Sequence, residues 1–363
     1  MPKLPSPEAK SAYEESSVRS TRSRSDRLTD KIDVAVVGTG LMGRWHVQTA
    51  QRIGARVVAL ADPSAGRALA LAGTDIPVFD EIGHLLETVN PAVVHLCSPS
   101  GTHGTIIREC IAHGVHVLAE KPLAANAEET RILCDLAREA QVQLCPVHQY
   151  AFQKSLDRVI ENQSRIGDME LVDMSFFSAG AAGLPVDQYP QVVGDILPHP
   201  VAIAQRIWPD RDIAELDWQV VPIGSAGWQL TSCIGSTTLR ITLSLAARPT
   251  EAHMFMSGDK GSWDIDLFHG YTRFREGTAN RRTKALRPFG DALSMFGHAS
   301  VNLASRLVQR ELAYPGLRAL TEAFYASVAG QQPTPITCEQ MISVAVLRDD
   351  FLMHTAESGK AEG

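Results

Sequence analysis

The chain has 363 residues, 44% of them hydrophobic and 21% charged, and a formal net charge of −7. That length exceeds what one hydrophobic core usually serves and predicts two domains of ordinary globular composition. The acidic balance argues against a nucleic-acid binder, and no run of eighteen or more apolar residues offers a membrane span.

Residues 1–30 are rich in Ser, Arg and Glu, lack an apolar h-region, and read as a mostly disordered tail and not as a secretory signal. Ile32 to Val37 is then a short apolar strand run, followed directly by Gly38-Thr39-Gly40-Leu41-Met42-Gly43, which fits G-x-G-x-x-G. A second run, Val57 to Ala61, ends at Asp62, nineteen residues after Gly43. Each part has a physical task in dinucleotide binding. Gly38 permits the tight turn, Gly40 lets the backbone approach a pyrophosphate, and Gly43 lets the helix pack on the sheet with its N–H groups toward the phosphates. Asp62 is placed to accept from the adenosine ribose hydroxyls, which favours NAD over NADP.

Strand and helix signals continue to alternate. Ile76–Phe79, Ala92–Cys97, Val115–Ala119 and Val142–Val147 read as strands, and Glu81–Val89, Thr102–His113 and Ala127–Ala140 as helices. The pattern predicts a Rossmann-type, doubly wound parallel sheet over residues 31–150. Ligands on such sheets lie beyond the carboxyl ends of the strands. That rule selects Ser98 to His103, Glu120 to Pro122, and His148 to Phe152.

The periodicity changes after about residue 165. Leu239, Ile241, Leu243 and Leu245 alternate with polar residues, as do Leu216, Trp218 and Val220, and Trp263, Ile265 and Leu267. Period-two patterns of this kind predict a mainly antiparallel open sheet in an α+β domain over 151–363, with a hairpin turn at Gly258–Gly261. Leu317–Ala329 and Cys338–His354 read as helices, the latter packing back on the first domain. A sheet face uncovered by helices exposes apolar surface unless a partner covers it. A homodimer or homotetramer joined through strands near 216–220 and 238–267 is therefore expected. The six cysteines (97, 110, 134, 145, 233 and 338) include no Cys-x-x-Cys pair and suit a reducing, cytoplasmic setting.

Gly38–Gly43, Ser98-Pro99-Ser100-Gly101-Thr102-His103, Glu120-Lys121-Pro122 and Gly194-Asp195-Ile196-Leu197-Pro198-His199 occur in this order. In that arrangement the chain resembles the glucose–fructose oxidoreductase/inositol dehydrogenase (Gfo/Idh/MocA) family over roughly residues 31–355. The resemblance implies a Rossmann domain joined to a mostly antiparallel α/β domain, and NAD(P)-dependent chemistry at a ring carbon of a pyranose or cyclitol. It also implies that Ser98, Pro99, His103, Glu120, Lys121 and Pro122 lie at the cofactor and that His148 and Tyr150 lie near the nicotinamide and substrate. Oxidising a secondary alcohol needs a base, and His199 suits it, because an imidazole near pKa ~6.5 both takes and returns a proton. Asp195 would orient that imidazole, and Lys121 would stabilise the developing alkoxide. Taken alone, His199 reads equally as a helix cap, Lys121 as a solvated loop lysine, His103 as a helix N-terminal residue and Tyr189 as either a substrate contact or a packing residue.

Two departures from the family pattern bear on this. Gln191-Val192-Val193 stands where a glycine-rich approach is common, and Pro198 and Pro200 flank His199, so the helix start is expected near Pro198–Pro200 and an i,i+4 relation between Asp195 and His199 is not. His84, His95, His113 and His116 read as structural, and no His/Cys/Asp/Glu spacing suggests a metal. Arg273, Arg275, Arg281, Arg282, Lys284 and Arg287 form a basic stretch before an amphipathic helix carrying Leu293, Phe296, Leu303, Leu307 and Leu312. A solvated loop, contact with an anionic nucleotide-sugar substrate, or docking on a membrane surface each accounts for it. The expected activity is hydride transfer on a sugar, cyclitol or nucleotide-linked sugar, with a nucleotide-linked hexose acted on at C3 as the leading substrate class. The rivals are an NAD-using glycosidase acting by transient oxidation and a non-catalytic dinucleotide-sensing regulator; the first would release an aglycone without net NADH.

Overall fold

In a computed structural model, which describes residues 32–277, 281–309 and 313–361, the apolar runs of the first half pair as a six-stranded parallel sheet. The tail at 1–30 and Leu312 lie outside the described residues. The elements alternate as β1 (Asp33–Val37), α1 (Leu41–Arg52), β2 (Arg56–Ala61), α2 (Ala65–Ala72), β3 (Val78–Phe79) and α3 (Ile82–Val89). They continue as β4 (Val93–Leu96), α4 (His103–Ala112), β5 (His116–Ala119), α5 (Ala127–Glu139) and β6 (Leu144–Pro146). The strand order β3-β2-β1-β4-β5-β6 is the doubly wound arrangement, with its switch point between β1 and β4. β4 is buried along its whole length, as a strand covered on both faces must be. α5 starts where Asn126 accepts from the Glu129 N–H at 2.8 Å, while Glu129 reaches back to the Ala125 N–H at 3.0 Å. α2 has no counterpart in the sequence reading, because only Ala68 and Ala72 of its eight residues are buried and the apolar stripe is too thin to show.

The second half contributes α6 (Lys154–Glu161), β7 (Met169–Phe177), α7 (Tyr189–Ile196), α8 (Pro198–Ile207), β8 (Gln219–Ile223), β9 (Gly227–Ile234) and β10 (Thr237–Ser244). β11 (Glu251–Gly258), β12 (Gly261–Asp266), β13 (Tyr271–Glu276), α9 (Arg281–Gln309), α10 (Leu317–Val328) and α11 (Cys338–Ala361) complete it. The seven-stranded sheet runs β13-β12-β11-β7-β10-β9-β8 and is antiparallel except where β10 pairs parallel with β7. Leu239, Ile241 and Leu243 are fully buried, as their alternation predicts. The alternation at Leu216–Trp218 does not continue into a strand, since β8 begins only at Gln219 and the Trp218 indole donates to the Ile213 carbonyl at 2.8 Å.

The outward face of this sheet differs from the expected apolar surface. Arg240 pairs with Asp173, and His253, Asp264 and Arg273 form a cross-strand ladder with His253–Asp264 and Arg273–Asp264 contacts of 2.8 Å each. Charges that satisfy one another laterally leave that face no strong apolar reason to be covered. The basic stretch is also redistributed. Arg273 and Arg275 belong to β13 and pair with Asp264 and Asp291, and Arg287 lies inside α9, which already begins at Arg281. The side chains of Arg281, Arg282 and Lys284 lie outside the described residues.

The C-terminal helices join the two halves. Leu317, Leu320, Phe324 and Tyr325 of α10 pack in the core of the first sheet, whereas Val344, Leu347 and Phe351 of α11 pack in the core of the second. α11 also lies against α5, as its apolar pattern implied. Tyr325 ends a buried polar chain: its hydroxyl lies 2.9 Å from His95 Nε2, His95 Nδ1 is 2.9 Å from His46 Nδ1, and His46 Nε2 is 3.2 Å from Glu120. One assignment satisfies every member with both imidazoles neutral. Tyr325 donates to His95, His95 to His46, and His46 to the Glu120 carboxylate. Burial, reinforced by His46, holds His95 well below the ordinary imidazole value, which keeps that assignment in place.

His95, His148 and His199 all have folded pKa values below the 6.5 of an exposed imidazole. In the unfolded chain they bind protons as pH falls through that value, while in the folded chain they stay neutral. Their contribution to stability is therefore complete above it and is lost as pH falls below it. His253, raised by its bond to Asp264, acts in the opposite sense but is a single group. The thermal midpoint is expected to be several degrees lower at about pH 5.5 than at about pH 7.5. Calorimetry showing an equal or higher midpoint at the acid pH would contradict the buried, neutral placement of these three rings.

Candidate active site

The cofactor cradle follows from the switch point. Gly38 leaves β1 with φ +88°, and a Cβ there would stand 2.5 Å from the backbone of Cys97 and Ser98 at the end of β4. A Cβ on Gly43 would stand 2.0 Å from the Gly38 carbonyl oxygen. Beside Gly40, in contrast, nothing lies within 4 Å. Two glycines are thus required by close approach of the chain to itself, and the third leaves open space. No side chain caps α1, so its first N–H groups remain for an anion. Asp62 sits at the end of β2, buried, with Oδ2 accepting from the Thr39 N–H and hydroxyl at 2.8 Å each and Oδ1 from Ser64 at 2.8 Å and Arg67 at 3.1 Å. Burial pushes its pKa up, but those hydrogen bonds outweigh burial and bring it down to about 2. Asp62 is a fixed anion at any working pH. The cradle thus fits a dinucleotide phosphate along α1 and a ribose at Asp62.

The cradle opens into a cavity of about 490 Å³ between the two sheets. Met42, Ser98, Glu120, Lys121 and Tyr150 line it from the first half of the chain, and His199 from the second. Lys121 follows β5 and precedes a cis Lys121–Pro122 peptide. Its ammonium donates to the Asp195 carbonyl at 2.7 Å. The carbonyls on either side of it, those of Gly194 and Ile196, have no helical donor, since Pro198 and Pro200 lack an N–H. Burial lowers the Lys121 pKa; Glu120 and Asp195 oppose the fall, and Arg348 adds to it.

His199 occupies the second position of α8, between the two prolines, in the first turn where missing N–H groups carry no penalty. Its ring is 7% exposed, meets Tyr150 edge-on at 4.8 Å and lies nearly parallel to Phe176 at 6.4 Å. Its Nδ1 has no hydrogen-bond partner within the protein, a costly arrangement in a buried ring unless a ligand supplies one. Burial, with Lys121 and then His148 adding to it, holds His199 well below 6.5 and therefore neutral at physiological pH. Tyr150 is pushed up to about 12 by burial, then by Tyr314 and Asp266, so its hydroxyl stays protonated.

The remaining expected residues fall elsewhere. The helix does start at Pro198, but Leu197 keeps right-handed helical angles (φ −51°, ψ −33°), so α7 and α8 follow one another without a turn between them. The Asp195 carboxylate accepts from Arg348 at 3.3 Å and Gln191 at 3.2 Å, and its recorded partners do not include His199. His103 bridges two loops from beneath, with its ring nitrogens 2.9 Å from the Pro122 carbonyl and 3.0 Å from that of Ser98. His148 is buried behind Lys121, with Nδ1 unpartnered and its pKa brought down to about 3 by burial and by Lys121. Tyr189 lines a different cavity, beside Gln191 and Trp228. Phe176, Ser178, Glu251, Phe268 and Tyr314 line the main cavity without having been singled out. Strand ends carry no motif, and only Arg348, a lone cation in an apolar helical window, had a signal to read. Among the described residues, no group of three or more His, Cys, Asp or Glu could hold a metal ion, and no helix is long and apolar enough to cross a membrane.

Comparison with known proteins agrees with this construction. Residues 32–148 match the family described as "Oxidoreductase family, NAD-binding Rossmann fold" (GFO_IDH_MocA). The rhizopine catabolism protein MocA of Rhizobium meliloti is 35% identical over 112 residues, 31% of this chain and 35% of that protein. Inositol 2-dehydrogenase 1 of Saccharopolyspora erythraea is 39% identical over 103 residues, 27% of this chain and 31% of its own length. The match thus spans about a third of these relatives. In fold the likeness is wider: GenD2 from gentamicin A biosynthesis, solved in complex with NAD, superposes with a TM-score of 0.68 over 90% of this chain and 95% of its own at 17% identity. Over residues 32–148, this chain is therefore similar to the Gfo/Idh/MocA oxidoreductase family and carries the NAD-binding Rossmann fold that the family model describes.

Proposed function

We propose that the chain is an NAD-dependent oxidoreductase that transfers a hydride at a ring carbon of a sugar or cyclitol. The observation that carries this reading is the convergence of Lys121 and His199 on one cavity that begins at Met42 of the cofactor helix. The nicotinamide, when bound, supplies the hydride acceptor or donor. The protein's part is to bind, orient and move a proton. His199, neutral and with an unpartnered ring nitrogen, takes the hydroxyl proton in the oxidation direction. Lys121 uses one N–H on the Asp195 carbonyl and has others for the substrate oxygen, whose developing negative charge it stabilises. Tyr150 adds a neutral hydroxyl donor, and Ser178 and Glu251 give the cavity hydroxyl-binding groups opposite the apolar faces of Phe176 and Phe268. Such mixed lining suits a ring with C–H faces and a hydroxylated rim. Arg273 and Arg275 lend no support to a nucleotide-linked substrate, because they pair with Asp264 and Asp291 and neither lines this cavity.

Replacing Lys121 or His199 by Ala is expected to lower kcat by ~10²-fold or more while leaving the Kd for NAD nearly unchanged. Stopped-flow or steady-state assay with a panel of inositols and hexopyranosides, read against cofactor titration, checks both halves of that expectation. A His199→Ala enzyme at near wild-type turnover would move the base elsewhere.

The pH profile follows from the same shifts. A base works when neutral, and His199 stays neutral well below pH 6.5, so kcat/KM for oxidation should rise at an acid pH below that value. On the alkaline side the Lys121 charge is lost below the ordinary lysine value of 10.5. A rise centred at or above pH 6.5 that vanishes in His199→Ala would contradict the buried placement of the ring.

Cofactor choice rests on Asp62. Its permanent charge accepts from a 2′-hydroxyl and repels a 2′-phosphate, so NAD should bind more tightly than NADP by isothermal titration. Asp62→Ser should narrow or invert that preference, with Arg67, now freed from its carboxylate, contributing to the gain. Tighter NADP binding to the unaltered chain would overturn the assignment.

A further inference from the structure

α9 presents its faces in the reverse of the order a core helix requires. Asp291, Ser294, His298, Asn302 and Arg306, three or four residues apart, share the face turned toward the protein. Asp291 meets Arg273 and Arg275 at 3.7 and 3.5 Å, and Asn302 and Arg306 each donate to the His269 carbonyl at 2.9 Å. The opposite face carries Phe289, Leu293, Phe296, Leu303 and Leu307, spaced as a heptad seam with Ser300 in the remaining position. Phe289, Leu293 and Phe296 are 76%, 74% and 72% exposed. Of the sixteen exposed large apolar residues among those described, eight lie on this one helix, and the rest are scattered. A contiguous patch of that kind marks an interaction surface.

We propose that this face is covered by α9 of a second copy of the chain, the two helices lying antiparallel across a twofold axis near His298. The seam is complementary to its own reverse. Antiparallel pairing about that point sets Phe289 against Leu307 of the partner subunit, Leu293 against Leu303 of the partner subunit and Phe296 against Ser300 of the partner subunit. An isologous contact requires this self-complementarity. Parallel pairing would set Phe296 on Phe296 and leave a gap at the paired serines.

The area is adequate as well. The five apolar side chains of the seam are exposed by 55–76%. At roughly 100 Å² apiece they would bury on the order of 500 Å² per copy, about 1,000 Å² in total, which is the least expected of a specific interface.

The test is the oligomeric state. Light scattering at micromolar concentration is expected to return the mass of two chains, and Leu293→Glu/Leu303→Glu the mass of one, with native circular dichroism retained. Mild oxidation of a Phe296→Cys/Ser300→Cys variant is expected to give a covalent dimer on a denaturing gel. Phe289→Cys/Ser300→Cys, whose positions are not opposed, should give little, as should the unaltered chain. A monomeric wild type overturns the proposal, including one that sediments with phosphatidylserine vesicles and so assigns the face to a lipid surface. A dimer that survives both glutamates overturns it too, since the contact would then lie elsewhere. Efficient cross-linking of Ser300→Cys alone would refute the antiparallel register.

Discussion

The site depends on how one partly buried lysine is held. Lys121 leaves the first sheet and donates to a main-chain carbonyl of the second domain, so its ammonium is also a tie between the two halves. Burial works against its charge, and the nearby Glu120 and Asp195 offset part of that effect. Both carboxylates are themselves held from a distance. Glu120 ends the chain that runs through His46 and His95 to Tyr325 of α10. Asp195 is gripped by Arg348 of α11, which also donates to the Ala125 carbonyl at 3.0 Å. Two helices from the end of the chain thus govern the electrostatic setting of a residue near its first third. A charge in a low-dielectric position needs that kind of support, because misplacing one partner leaves the other uncompensated.

The same lysine makes its surroundings suited to proton transfer. His148 and His199 both feel its positive charge in addition to burial, and both remain neutral. In the proposed reaction a neutral imidazole beside an ammonium would divide the labour, one group moving a proton and the other stabilising an anion. The prolines on either side of His199 serve this arrangement twice. They fix the first turn of α8, and they leave without helical donors the carbonyls of Gly194 and Ile196, on either side of the one that Lys121 uses.

Charge pairing also separates the two surfaces of the second domain. On the sheet, His253, Asp264 and Arg273 satisfy one another across three strands, and Asp291 extends the ladder onto α9. That polar seam fixes the helix with its ionic face inward. The apolar side chains then have nowhere to go but outward, so burying a salt-bridged edge is what creates an exposed hydrophobic one.

Much of the first domain could be read from residue order alone. Apolar runs of four to six residues separated by helical windows leave little choice but a parallel sheet, and Gly38, Gly43 and Asp62 have local geometric reasons that the spacing already expresses. Alternation over Leu239–Leu245 likewise declared a half-buried strand before any partner was known. Lys121 and His199 were legible because each sits in a short run of unusual residues, Glu-Lys-Pro and Pro-His-Pro. What residue order could not supply was the partner of each group. The Asp195 carboxylate turned to Arg348, 153 positions away, instead of to the histidine four residues on. Tyr189 lay beside a different cavity, and Phe176, Glu251 and Tyr314 reached the site from strand ends and a loop with no motif to mark them. Periodicity and turn chemistry are local and are written into neighbouring residues. Which charges meet, which face of α9 turns inward and which side chains close a cavity depend on contacts between distant segments, and those only tertiary packing decides.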